Sequence, residues 1–145
     1  MPPSGAGGAS DTGDAEIHDG LVTPLSTSVR PGEEVLPLVA FQDHLLRRFG
    51  RAELLRLGDG AEFNAWREVS DEVWVLADGS AEFVLEDRRP GSPTRGASQI
   101  HQLAEPARLL VPFGVHLRIL SRSKATLLLR FMTHSEIEDR PLPDD

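Results

Sequence analysis

His116 and Arg118 stand two apart in VHLRIL, residues 115–120. In an extended segment they share one side, and Val115, Leu117 and Ile119 share the other. Histidine is the side chain best suited to exchange a proton near neutral pH, and a carboxylate beside it fixes its tautomer. Glu72, in DEVWV, is the carboxylate expected in that role. A His116–Glu72 pair would abstract a proton next to a carbonyl, which is the chemistry of an isomerase. Arginine forks grip phosphate or carboxylate with two parallel bonds. Arg118, Arg67 in AWREV and Arg130 in LLLRFM are the candidates for holding an anionic ligand. Trp66 offers an aromatic face for a sugar or base. A competing reading turns the arginines to solvent, paired with carboxylates at little gain. Trp74, between Val73 and Val75, reads as core, and His101 in SQIHQL as a structural histidine with its hydrogen bonds met. His18, His44 and His134 receive no role.

A metal centre needs three or four convergent nitrogen or oxygen ligands. Glu68, Glu72 and His116 are the one combination on offer. The preferred reading leaves Glu68 polar on the surface, Glu72 paired with an arginine and His116 at a cavity or rim. Neither a metal nor a cofactor is expected.

The elements that must position these residues are short. RAELLRL (51–57), AEFNAW (61–66), EVWVLAD (72–78) and SAEFVLE (80–86) alternate in part with period two, with DG turns at 59–60 and 78–79 between them. SQIHQL, RLLVP, VHLRIL and KATLLLRFM follow the Pro- and Gly-rich loop DRRPGSPTRGAS. Strands at this spacing predict an all-β sandwich or closed barrel over residues 34–140. FQDHLLRRFGRAELLRL has partial helical spacing, and a strand–turn–strand reading is preferred there. Residues 1–33, rich in Gly, Ser, Pro, Asp and Thr, bury too little to offset ordering and read as a flexible tail, with a short ordered piece at 21–25. Residues 141–145 form a second tail.

The chain has 145 residues, 39% hydrophobic and 26% charged, which suits one globular domain. A net charge of −8 argues against a nucleic-acid backbone as partner. No apolar run is long enough to span a bilayer, and the N-terminus lacks a signal peptide's basic and apolar regions. With Cys at 0 there is no disulfide or thiolate chemistry, which agrees with a cytoplasmic setting.

With these residues in view, the chain resembles the cupin superfamily, whose fold is a double-stranded β-helix or jelly-roll barrel. The first cupin motif runs glycine, five residues, histidine, any residue, histidine, three or four residues, glutamate, six residues, glycine. That register falls on Gly60, Trp66, Glu68, Glu72 and Gly79, with both histidines replaced. A second register puts the histidine pair at Ala65 and Arg67. The second motif, proline, any residue, glycine, then histidine, is similar to Pro112, Gly114 and His116 in LLVPFGVH, where the histidine comes a residue early. More narrowly, residues 35–140 resemble cupins that act as 3,4-ketoisomerases and 3,5-epimerases on dTDP-linked 4-keto-6-deoxy sugars. The resemblance implies a homodimer that binds a sugar nucleotide, with no nucleic acid or membrane as partner. It also exposes departures: the ketoisomerases' His-x-His pair is absent, and with Tyr at 0 the epimerases' tyrosine acid cannot exist. Two functions stand: metal-independent proton transfer on a 4-keto-6-deoxy sugar through His116 and Glu72, or a non-catalytic cupin that binds a small ligand or regulates a partner. A metal-dependent dioxygenase or decarboxylase has the least support.

Overall fold

Alternation of buried and half-buried side chains along 81–87, 107–111, 115–121 and 125–132 gives each of these segments one face for a core and one for the outside. The computed structural model describes residues 10–11, 17, 20–39, 49–67 and 70–134. These form strands β1 Ser10–Asp11, β2 Leu21–Pro24, β3 Ser28–Arg30, β4 Glu33–Val35, β5 Arg51–Gly58 and β6 Glu62–Ala65. They continue with β7 Glu72–Asp78, β8 Ala81–Asp87, β9 Ser98–Leu103, β10 Ala107–Val111, β11 Val115–Ser121 and β12 Ala125–Met132. Among the described residues there is no helix.

One sheet has the order β1-β9-β8-β11-β6 and the other β2-β10-β7-β12-β5. All pairings are antiparallel. From β5 onward every connection except β8–β9 crosses from one sheet to the other. This winding is the double-stranded β-helix that the resemblance implies. The core between the sheets is built by Trp74, Leu76, Leu109 and Leu128 from one side and Phe83, Leu85, Leu117 and Ile119 from the other. Gly79 turns the chain between the sheets at φ 90°, and a side chain there would strike the Ala125 carbonyl oxygen at 2.5 Å.

The barrel begins before the boundary expected at residue 34. Ile17 is buried in the core, and β2 pairs with β10, Val22 opposite Leu109, so the short ordered piece belongs to the sheet. β3 and β4 pair only with each other, and every residue in them is exposed. Of the helix candidate, 51–57 lie in β5, and 41–48 fall outside the described residues, as do 135–145.

Candidate functional site

Residues 66–67 and 70–71, the loop 88–97 and the turn 112–114 close one end of the barrel. The Gly114 N–H donates to the Arg67 carbonyl at 2.6 Å, and the Arg88 N–H donates to the Gly114 carbonyl at 3.0 Å. Beneath them lies a shallow cleft of about 180 Å³, counting its solvent-filled part, which encloses no room for a water molecule. It is lined by Ala65, Val115 and Leu117 from one sheet, by Glu72 and Val111 from the other, and by Arg67, Ser70 and Pro112 from the connections.

Its floor is ionic. β7 turns Glu72 inward together with Trp74 and Leu76, and Glu72 is 3% exposed. β12 lays Arg130 opposite Trp74, and its Nη2 donates to Glu72 Oε2 at 2.7 Å. Arg67 Nη1 stands 3.6 Å from the same oxygen and contacts Met132 Sδ at 3.2 Å. Trp74 Nε1 donates to Glu72 Oε1 at 2.8 Å. The Arg130 guanidinium also lies 5.0 Å from the Trp74 ring and 5.5 Å from Phe63, and reaches Glu53 at 3.4 Å. A buried charge persists only when it is paired in this way.

Arg67, Glu72 and Arg130, three of the residues singled out by sequence, therefore converge. His116 and Arg118 do not. β11 buries Val115, Leu117 and Ile119 and turns His116 and Arg118 to the outer face, the reverse of the expected lining. Burying three apolar side chains is favourable, whereas lining the interior with an arginine would require a buried partner for it. His116 sits across from Glu86 on the outer surface, so the expected His116–Glu72 pair is not formed. Partial burial holds its imidazole below the ordinary range; Glu86 opposes this, and Arg118 and Arg88 add to it. Arg118 makes a surface pair with Glu62 at 3.8 Å, worth about 0–1 kcal/mol. The early histidine of the second motif is explained by the same geometry: one residue of register changes face, and the inward place belongs to Leu117.

The first motif divides likewise. Of the places the two registers offer, Ala65 and Arg67 are buried, 2% and 7% exposed. Trp66 lies half-buried between them in sequence and donates from Nε1 to the Gly114 carbonyl at 3.2 Å, bracing the turn above the cleft. Glu68 is outside the described residues. Among the described residues no three His, Cys, Asp or Glu side chains converge as metal ligands. His101 is buried on the inner face of β9 beside Gln99, at 3.3 Å.

Two residues that the sequence reading passed over shape the mouth of the cleft. Asp87, fully buried at the end of β8, accepts bonds from Arg89, Ser92 and Thr94 and so organises the 88–97 loop. Asp71 Oδ1 accepts the Phe113 N–H at 3.0 Å. The signal for Asp87 was legible: a carboxylate at a strand end followed by Arg, Ser and Thr within seven residues is a self-capping loop.

No family model matches the sequence. The spore coat polysaccharide biosynthesis protein SpsL of Bacillus subtilis (strain 168) is 32% identical over 109 residues, spanning 72% of this chain and 72% of that protein. Among solved structures, a dTDP sugar isomerase from Desulfovibrio desulfuricans superposes with a TM-score of 0.78 at 16% identity, covering 86% of this chain and 85% of that one. The 3'-monoepimerase ChmJ of Streptomyces bikiniensis, in complex with dTDP-quinovose, gives 0.74 at 15%, covering 85% and 68%. RmlC of Legionella pneumophila, a dTDP-6-deoxy-D-glucose-3,5-epimerase in complex with dTDP-4-keto-L-rhamnose, gives 0.75 at 14%, covering 88% and 74%. These likenesses show the fold, a double-stranded β-helix of the kind those three enzymes have.

Proposed function

We propose that this chain, which belongs to the family of the spore coat polysaccharide biosynthesis protein SpsL, isomerises or epimerises a dTDP-linked 4-keto-6-deoxy sugar by proton transfer in the cleft. The observation that carries the reading is the Arg67–Glu72–Arg130 cluster at the cleft floor, with Arg67 and Glu72 both among the residues that line the cleft. In this reading the carbon next to the ketone gives its proton to Glu72. The electron pair of that bond moves to the ketone oxygen, whose developing charge Arg67 meets. For isomerisation Glu72 returns the proton to the former ketone carbon while the hydroxyl proton of the first carbon passes to the former ketone oxygen; for epimerisation solvent delivers a proton to the other face of the first carbon. Arg130 holds Glu72 in place. Trp66 acts through the turn it braces, and His116 and Arg118 have no part in the step.

The relatives whose structures hold dTDP sugars support the substrate class. The reading includes a homodimer working in the cytoplasm. The β3–β4 hairpin supports the dimer, because two strands alone are marginal in water and Val29 and Val35 lie 69% and 42% exposed on it. Ala65 and Leu117, at two inward motif places, favour a second reading, a cupin that binds the sugar nucleotide without chemistry.

Both readings predict binding. dTDP-glucose at about 100 times its Kd should stabilise the folded protein by about 2.7 kcal/mol, seen as a higher Tm, in a species with twice the chain's mass by light scattering. An unmoved Tm at saturating dTDP-glucose and UDP-glucose would reject both.

A further inference from the structure

Glu72 is 3% exposed beneath a cleft that encloses no room for a water molecule, so its carboxylate has no water beside it with which to trade protons. Among the described residues one chain of hydroxyls leads from that cleft to the surface. Ser70, just before β7, is 1% exposed and lines the cleft together with Glu72 and Arg67. Its Oγ lies 3.4 Å from Thr133 Oγ1, which in turn lies 2.9 Å from His134 Nδ1. Thr133 is buried, 3% exposed, whereas His134, just beyond β12, is half-buried.

Backbone contacts hold the three side chains in line. The Asp71 N–H donates to Thr133 Oγ1 and the Thr133 N–H to the Asp71 carbonyl, both at 3.1 Å. The His134 N–H donates to Ser70 Oγ at 3.3 Å, and the Ser70 hydroxyl also reaches the Asp71 carbonyl at 3.3 Å. Gly50 packs flush from the β5 side, where a Cβ would run into the His134 backbone.

Each hydroxyl has one proton and two lone pairs. With the Asp71 N–H on Thr133, two arrangements satisfy the chain. In the first, Ser70 donates to Thr133 and Thr133 to His134 Nδ1. In the second, the His134 Nδ1–H donates to Thr133 and Thr133 to Ser70. Passing from the first to the second carries one proton out of the cleft. The Ser70 oxygen accepts it as its own proton moves to Thr133, the Thr133 proton moves to His134 Nδ1, and the imidazolium releases its Nε2 proton to water. The reverse brings one in. Imidazole suits the outer end because it accepts at one ring nitrogen and releases from the other.

We propose that Ser70, Thr133 and His134 form a proton relay through which the cleft exchanges protons with solvent. The relay rests on the function proposed above: it replaces the proton that Glu72 has taken from the sugar with one from water. Thr133 and His134 act through Ser70 and do not touch the sugar.

The rate of deuterium uptake into a dTDP-linked 4-keto-6-deoxy-glucose in D2O tests the relay. Thr133→Val and His134→Ala are expected to lower that rate about ten-fold or more, toward the ~10²–10⁴ that a positioned proton-transfer group contributes, while dTDP still binds by calorimetry. Thr133→Ser, which keeps the hydroxyl, and imidazole added to His134→Ala are expected to restore it; dissolved imidazole does not replace a residue that only braces the fold. If Thr133→Val fails to fold, His134→Ala with imidazole decides. Uptake within about two-fold of wild type in either variant overturns the relay alone, because abstraction by Glu72 does not depend on it. A loss in His134→Ala that imidazole leaves unrestored also overturns it. A wild type that binds the dTDP sugar and takes up no deuterium removes the function proposed above, and the relay with it.

Discussion

Glu72→Ala is expected to lower the stability of the fold by about 3–5 kcal/mol, the range for removing one partner of a buried ion pair. Arg130 is 1% exposed and Arg67 7%, so neither guanidinium can turn to water without opening the barrel. The cation–π contacts of Arg130 with Trp74 and Phe63, worth about 0.5–2 kcal/mol, and its longer contact with the partly exposed Glu53 at 3.4 Å remain, but they do not replace the 2.7 Å bond to a buried carboxylate. Trp74 Nε1 loses its acceptor in the same change. The midpoint of urea unfolding should fall while the slope stays constant, which separates lost stability from a changed unfolded state. Replacing Glu72, Arg67 and Arg130 together by methionine should recover part of the loss, since apolar side chains of similar volume need no desolvation. A decrease below about 1 kcal/mol for Glu72→Ala would mean that the cluster behaves as a surface pair.

The second large effect belongs to Asp87. Its Oδ1 accepts the Arg89 N–H and Nε at 3.0 and 2.9 Å. Its Oδ2 accepts Arg89 Nη2 at 2.8 Å, Ser92 at 2.7 Å and Thr94 at 2.6 Å. Burial alone would raise the pKa of this carboxyl, but the bonds from Arg89, Thr94 and Ser92 outweigh it and hold it far below the usual carboxylate range. A folded-state pKa below the unfolded one means stability that is present at neutral pH and lost as pH falls below about 4. Asp87→Ala should therefore cost about 3 kcal/mol at pH 7 and leave a shallower acid limb in a plot of unfolding midpoint against pH. The 88–97 loop should also open, so that trypsin cuts after the exposed Arg95 faster than in the wild type. An unchanged acid limb together with an unchanged cutting rate would show that Asp87 does not organise the loop.

Strand positions were largely readable in the sequence, because alternation along 81–87 and 125–132 and the turn at 78–79 report a local property, which face of each residue meets the core. β2 was less legible: four residues flanked by Gly, Pro, Ser and Thr gain order only from pairing with β10, far away in sequence. The site was half legible. Arg130 and Arg67 carried weak weight because their value comes from Glu72, and Arg130 lies 58 positions from it. β11 was read inside out, although the signal was present: Val115, Leu117 and Ile119 form the more apolar face, and hydrophobic burial decides orientation where no buried counter-charge awaits an arginine. The histidine attracted attention for its chemistry, while the cleft uses its neighbour Leu117.

Solvent-deuterium exchange decides the central claim most directly. The protein is incubated in D2O with a dTDP-linked 4-keto-6-deoxy-glucose, and the sugar is followed by NMR and mass. The account predicts deuterium at a carbon next to the ketone and a new isomer or epimer, with both lost in Glu72→Gln while the variant still binds dTDP. Binding by the wild type without any deuterium incorporation would contradict proton transfer in the cleft and leave a sugar-nucleotide-binding cupin.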